Sequence, residues 1–149
     1  MVKQLIFPAV CLLSVLYIKA QTNDDPNFAY KEITLPHLMK KVQQGEKDFV
    51  ILDVRTKGEY YDTVSGARHL NLGHIKSAIN IPLQDLQQKP EALKELEQFK
   101  NKEIYVICSH SYRSRTISKL LLQNNFSGIT NVQGGMSEWF RNYDELKPY

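Results

Sequence analysis

From about residue 30 onward, short apolar runs alternate with stretches whose apolar positions recur every three or four residues. Lys31 to Ile33 predicts a short edge strand. Thr34 is the expected N-cap of a helix that carries Leu35, Leu38, Met39 and Val42 on one face and ends at Gly45. Phe49 to Val54, FVILDV, is almost continuously apolar, as a strand covered on both faces must be. Glu59, Tyr60 and Tyr61 fit a short helical turn. Ala78 to Ile81 predicts a second buried strand, closed by Pro82. Leu86, Leu93, Leu96 and Phe99 give Asp85 to Phe99 an amphipathic rhythm, with Pro90 as its start or break. Ile104 to Ile107 is β-rich and ends on Cys108; Ile117, Leu120 and Leu121 then follow at helical spacing. Ile129 to Val132 supplies a last strand, Gly134 and Gly135 a tight turn, and Met136 to Tyr143 a closing helix with Trp139. Strands alternating with helices predict a parallel α/β sheet, helices on both faces and right-handed crossovers.

The first twenty residues follow neither rhythm. Lys3, the apolar run Leu5 to Ile18 and the small Ala20 read as a secretory signal peptide. The run is shorter than the roughly 20 residues that span a bilayer, and Pro8 interrupts it, so no stable membrane insertion is expected after cleavage. Cys11 follows Val10 and lacks the setting of a lipidated cysteine. Residues 21–29, polar and containing Asp24, Asp25 and Pro26, read as a flexible segment ahead of one domain over 30–149. With 149 residues and 42% of them hydrophobic, one ordinary core is within reach. Cleavage would remove Lys3 and Lys19, leaving 17 basic residues against 16 acidic ones, a net charge of about +1. With no basic tract, nucleic acid is not an expected partner. Cleavage would also remove Cys11 and leave Cys108 without a disulfide partner, in an exported and oxidising setting, periplasmic or secreted. Such a thiol is either buried and inert or kept for its reactivity.

The setting of Cys108 favours reactivity. A strand ends on it, and a helix begins a few residues later, so backbone N–H groups and the helix dipole face the loop. Arg113 and Arg115 add positive charge, which favours the nucleophilic thiolate. Asp53 and Arg55 close the apolar run at 49–54, at the sheet edge where open α/β folds place their sites. Structural ion pairing or loop capping is the simpler role for these two. Thr63 to Gly73 is a polar loop with Arg68 and His69, either of which would reach a pocket rim if the loop lies beside it. His69, His74 and His110 match no common metal-ligand spacing, so no metal is expected.

Four segments in order carry a resemblance: DVR at 53–55, GHIKSAINIP at 73–82, YVICSHSYRS at 105–114 and NVQGGMSEW at 131–139. Together they resemble the rhodanese-like domain of single-domain sulfurtransferases, from about Tyr30 to Tyr143. The resemblance implies a five-stranded parallel sheet flanked by helices, with Cys108 as nucleophile at the head of a loop that cradles a persulfide. It implies that the Cys108 thiolate takes the outer sulfur of a small anionic donor such as thiosulfate and passes it to a thiol or cyanide, with a thiol reductase as a further partner and without a cofactor. Ser109, His110, Ser111, Tyr112, Arg113 and Ser114 would line the sulfur, their amides acting as an oxyanion hole does for oxygen. Arg113 would orient the donor by a forked contact, and the dipole of the last helix would serve the same end. Asp53, Arg55, Arg68 and His69 would stand behind this layer. Many family members carry arginine where this chain has Ser109 and glycine where it has Ser111. The serine at 109 lowers the attraction for thiosulfate, and the serine at 111 must accept the backbone geometry the loop needs.

Two alternatives come from other classes. Phosphatases and arsenate reductases of the same general fold place arginine after cysteine and five further residues. Here that position is Ser114, and Arg113 comes one residue early. The other alternative is a non-catalytic binding module.

Overall fold

The computed structural model describes residues 29–64 and 73–142, the last four by their backbone alone. The expected leader at 1–20, nearly all of the linker, most of the loop at 63–72 with Arg68 and His69, and the tail from Tyr143 onward lie outside the described residues.

Five strands form one sheet: β1 (Lys31–Thr34), β2 (Phe49–Asp53), β3 (Ile79–Asn80), β4 (Glu103–Ile107) and β5 (Ile129–Gln133). Their order is β1-β5-β4-β2-β3, and every pairing is parallel. The helices are α1 (Leu35–Gln43), α2 (Lys57–Tyr60), α3 (Leu83–Gln88), α4 (Pro90–Leu96), α5 (Tyr112–Gln123) and α6 (Gly135–Asn142). Side-chain alternation along the central strands divides the core in two. On one face Ile51, Tyr105, Ile107 and Val132 pack with Leu35, Leu38 and Met39 of α1 and Met136 of α6. On the other, Leu52, Ile104, Val106 and Ile129 pack with Leu86, Leu96, Ile117 and Leu121 of α3, α4 and α5. Cys108 continues the alternation of β4 and falls on the α5 face.

The α/β architecture expected from the rhythm is the one observed, with differences at element ends. The amphipathic stretch at 85–99 is two helices and a closing 3₁₀ turn at Glu97–Phe99, not one helix. Pro90 has no N–H to continue α3, and Lys89 before it takes an extended backbone, φ −119° and ψ 109°, as a residue preceding proline prefers. The strand expected over 78–81 shrinks to Ile79–Asn80. Thr34 is the N-cap residue of α1, but its hydroxyl pairs with His37 Nδ1 at 2.8 Å and makes no cap bond.

The chain moves outward one way from β2 to β3 and the other way from β4 to β5. The carboxyl ends of β2 and β4 therefore border a crevice at the point where the strand order reverses, the usual place for a site in such sheets.

Candidate active site

Cys108 follows β4 directly, and the loop from Ser109 leads into α5 at Tyr112. The thiol is buried, with 1% of the residue exposed. Ser111, the N-cap residue of α5, has φ 75°, in the left-handed region. The demand foreseen for a glycine position is thus met here by a serine. Its hydroxyl makes no cap bond to the helix. It donates to Val132 O at 3.3 Å and accepts from Gly134 N at 2.8 Å, fastening the loop to the turn after β5.

The first turn of α6 grips the same loop from the side. Met136 N donates to Cys108 O at 2.8 Å, and Ser137 donates to Ser109 O from its backbone N at 3.1 Å and from its hydroxyl at 2.8 Å. In a trans peptide the N–H points opposite to the C=O. With the carbonyls of 108 and 109 turned toward α6, the N–H groups of Ser109 and His110 turn the other way, away from α6. The α6 N-terminus thus holds loop carbonyls, a different task from the direct stabilisation of a donor expected of it. Gly135 makes this approach possible: a Cβ built there would stand 2.1 Å from Cys108 O.

Cys108 Sγ lies 3.4 Å from Ser114 Oγ, which is also within 2.6 Å of Asn131 Oδ1 and 3.1 Å of Ser111 O. Ser114 and Asn131 are fully buried. Tyr112 projects outward, 82% exposed, and His110 is exposed.

Arg113 does not present its fork to the crevice. Nη1 and Nη2 each donate to a Glu59 carboxylate oxygen at 2.7 Å, and Nη2 also donates to Ser109 Oγ at 2.8 Å. This corrects the expectation of a forked contact to a donor: the fork is filled by a carboxylate. Ser109 Oγ in turn donates to Glu59 Oε1 at 3.0 Å. Burial alone would raise the Glu59 carboxyl, but the Arg113 bonds and the Thr56 N–H outweigh it and hold it well below the usual carboxylate range. The same bonds to Glu59 raise Arg113, which stays charged. Glu59 is fixed from behind by a capping box, in which Thr56 Oγ1 accepts from Glu59 N and the carboxylate accepts from Thr56 N.

Asp53 and Arg55 form a buried ion pair at 2.7 Å, both side chains 1% exposed. Arg55 also donates to Gly73 O at 2.6 Å and to Glu59 O at 3.4 Å. Their role is the structural one: they join the end of β2 to the backbone of α2 and to the GHI segment. His74 stacks on Tyr60 with centroids 3.8 Å apart, and its Nδ1 is 2.9 Å from Tyr60 O. No group of three metal-ligating side chains occurs among the described residues.

Glu59, Asn131, Gly135 and Ser137 entered the site without being singled out from the sequence. Two signals were present. Thr56 to Glu59, TKGE, has the spacing of a capping box. Asn131 interrupts the apolar run ITNV of a buried strand, and a buried amide needs partners.

The sequence model of the family described as the rhodanese-like domain matches residues 35–142. The putative sulfur carrier protein YrkF of Bacillus subtilis is 32% identical over 108 residues, covering 72% of this chain and 50% of that protein. The tRNA uridine(34) hydroxylase of Cronobacter sakazakii is 26% identical over 127 residues, 83% of this chain and 34% of the relative. The chain thus spans between a third and a half of the length of these two. Among solved structures, a rhodanese-like domain protein from Staphylococcus aureus shares 28% identity with a TM-score of 0.60, covering 80% of this chain and 98% of that one.

Proposed function

Since the chain belongs to the rhodanese-like domain family, we propose that it is a sulfurtransferase working through a Cys108 persulfide. The observation that supports this reading is the placement of Cys108 at the end of a central strand, at the head of a loop whose first two carbonyls are taken by α6, so that the N–H groups of Ser109 and His110 point away from that helix.

The Cys108 thiolate attacks the outer sulfur of the donor. A Cys108–sulfur bond forms, the donor's sulfur–sulfur bond breaks, and the bonding pair leaves with the donor remnant, sulfite in the case of thiosulfate. These N–H groups and the α5 N-terminus stabilise the terminal negative sulfur of the persulfide. A thiolate or cyanide then attacks that sulfur, and Cys108 departs as thiolate. Because Glu59 fills the Arg113 fork and Ser109 brings no charge, donors whose binding depends on two negative charges gain little here. A persulfide donor is therefore favoured over thiosulfate. Ser114 stands where a phosphatase loop requires arginine, and its hydroxyl is turned to Cys108 and Asn131, which speaks against oxyanion hydrolysis.

The test is mass spectrometry of the purified chain after treatment with thiosulfate or a low-molecular-weight persulfide. One added sulfur atom on Cys108 and transfer of it to cyanide are expected, both lost in Cys108→Ser. Absence of label and turnover with every donor would leave a binding module as the better reading. Export of the chain after removal of residues 1–20 belongs to the same proposal and is tested by N-terminal sequencing of the protein from its native cell.

A further inference from the structure

Among the described side chains, two large hydrophobic ones stand in solvent: Tyr61, 62% exposed, and Tyr112, 82% exposed. Tyr61 is nonetheless packed, its ring edge-on to Tyr60 and His74 with centroids 4.9 Å and 6.2 Å away. Tyr112 is not. Only its carbonyl is engaged, by the Thr116 hydroxyl at 3.2 Å, and no hydrogen bond or ring contact holds its side chain. Nothing in the fold accounts for the ring. It covers no core, since α5 packs through Ile117 and Leu121, and tyrosine is a poorer helix former than the alanine or charged residues that suit exposed helical positions. Tyr112 is the first residue of α5, and the loop that begins at Cys108 leads into it. The Cα–Cβ bonds of a helix tilt toward its N-terminus, so the ring leans toward that loop and not along the helix. Cys108 itself is recessed, 1% exposed. An unsupported aromatic ring thus stands at the lip of a recessed thiol, with His110 also exposed on the loop.

We propose that Tyr112 is a specificity-determining residue that selects, as the acceptor in sulfur transfer, a cysteine carried on a polypeptide and flanked by apolar side chains. The inference rests on Cys108 being the nucleophile of that reaction. Size excludes the small partners. Cyanide and thiosulfate are only a few atoms long and are taken up within the loop, so a ring standing in solvent touches neither. A polypeptide that inserts its cysteine must lie across the lip. Charge defines its character. The arginines on either side of Tyr112 are both answered, Arg113 by Glu59 at 2.7 Å and Arg115 by Glu32 at 3.1 Å. A charged segment therefore gains little there, whereas an apolar or aromatic side chain gains by covering the ring. Tyrosine suits this task because its large contact area is fixed by only two side-chain torsions. In the transfer, the partner's thiolate attacks the outer sulfur of the Cys108 persulfide. A sulfur–sulfur bond forms on the partner, the bond from Cys108 to that sulfur breaks, and its electron pair stays on Cys108 as the thiolate.

The probes are the end-capped peptides Gly-Phe-Cys-Phe-Gly and Gly-Gly-Cys-Gly-Gly, with cyanide as the small acceptor. The protein is loaded with sulfur by a low-molecular-weight persulfide, and the second-order rate of transfer to each acceptor is measured. In Tyr112→Ala the ratio of the phenylalanine-peptide rate to the cyanide rate should fall about fivefold, while the glycine-peptide ratio moves by less than about twofold. Tyr112→Phe should keep the parent ratios, because the ring and not the hydroxyl makes the contact. A second readout needs no sulfur transfer. The peptide Gly-Phe-Ser-Phe-Gly should slow alkylation of Cys108 by iodoacetamide, and the concentration that halves the rate should rise about fivefold in Tyr112→Ala but not in Tyr112→Phe. Each variant is compared with itself without peptide, so differences in the reactivity of the thiol cancel. No protection of the parent, equal protection of the parent and Tyr112→Ala, or an equal fall in transfer to peptide and cyanide would overturn the proposal. Failure to load sulfur with the protection pattern intact would sink sulfur transfer and leave the peptide contact standing, so the two failures are distinguishable.

Discussion

Ser111 tests the loop most directly, because two opposed effects meet at one residue. Its φ of 75° costs a non-glycine residue roughly 1 kcal/mol. Its hydroxyl offsets that cost by donating to Val132 O and accepting from Gly134 N, the second bond at 2.8 Å and worth roughly 1 kcal/mol. Ser111→Gly removes the strain and the bonds together. It also adds freedom to the unfolded chain worth roughly 0.7 kcal/mol. Strain relief and lost bonding nearly cancel, so the glycine variant should be less stable by about 0.5–1 kcal/mol, chiefly from the unfolded state. Ser111→Ala keeps the strain and loses both bonds, as the glycine variant also does, and should be less stable by about 1 kcal/mol. Urea unfolding, with unchanged dependence on denaturant, reads these differences as shifts in midpoint. The expected order is serine, glycine, alanine. A glycine variant more stable than the parent would show that the hydroxyl bonds contribute nothing. A glycine variant less stable than the alanine variant by roughly 0.7 kcal/mol would show that the backbone stores no strain.

Three further outcomes follow from the same geometry. Because the folded Glu59 carboxyl lies below its unfolded value, its contribution is fully present above the unfolded value near pH 4.3 and is lost as pH falls toward the folded one. Glu59→Gln should therefore lower stability at neutral pH, and the gap from the parent should narrow as pH falls below about 4.3, measured by urea unfolding at several pH values. Gly135→Ala places a Cβ against the Cys108 and Ser109 carbonyls at a φ of 58°, so a loss of at least roughly 2 kcal/mol and of persulfide formation is expected by melting and mass spectrometry. Arg55→Met leaves Asp53 buried without its partner and should cost about 3–5 kcal/mol, seen in thermal unfolding.

What the sequence made legible follows from the range of each signal. FVILD at β2 and EIYVI at β4 read as buried strands because a strand covered on both faces must be apolar throughout. The break at Pro90 was visible as a choice, since proline either starts or stops a helix, and it resolved into two helices because Lys89 could not stay helical before it. Cys108 at a helix mouth was legible because strand, loop and helix are local. The partners of Arg113 were not. Glu59 is 54 positions away, and only the pairing of β2 with β4 brings α2 beside the loop. Asn131 was hidden for the same reason, since its meeting with Ser114 depends on the pairing of β5 with β4.

The arginine also shows how a correct local reading gives a wrong contact. Positive charge five positions after the cysteine suggests attraction for an anion, and spacing alone cannot tell whether a carboxylate has already answered it. Here Asp53 answers Arg55, Arg55 holds the Glu59 backbone, and Glu59 answers Arg113. Both arginines are matched by carboxylates before they reach the crevice. The charge of these residues is therefore spent on shape: it fixes α2, the GHI segment and the start of α5 relative to Cys108. In the proposed sulfur transfer, the loop backbone N–H groups then carry the recognition among the described residues, which suits one diffuse negative charge better than a doubly charged donor. Replacing Glu59 with glutamine would return net positive charge to the Arg113 fork while keeping a polar partner beside it. A rise in activity with thiosulfate relative to persulfide donors in that variant is the result this reasoning requires, and an unchanged donor ratio would refute it.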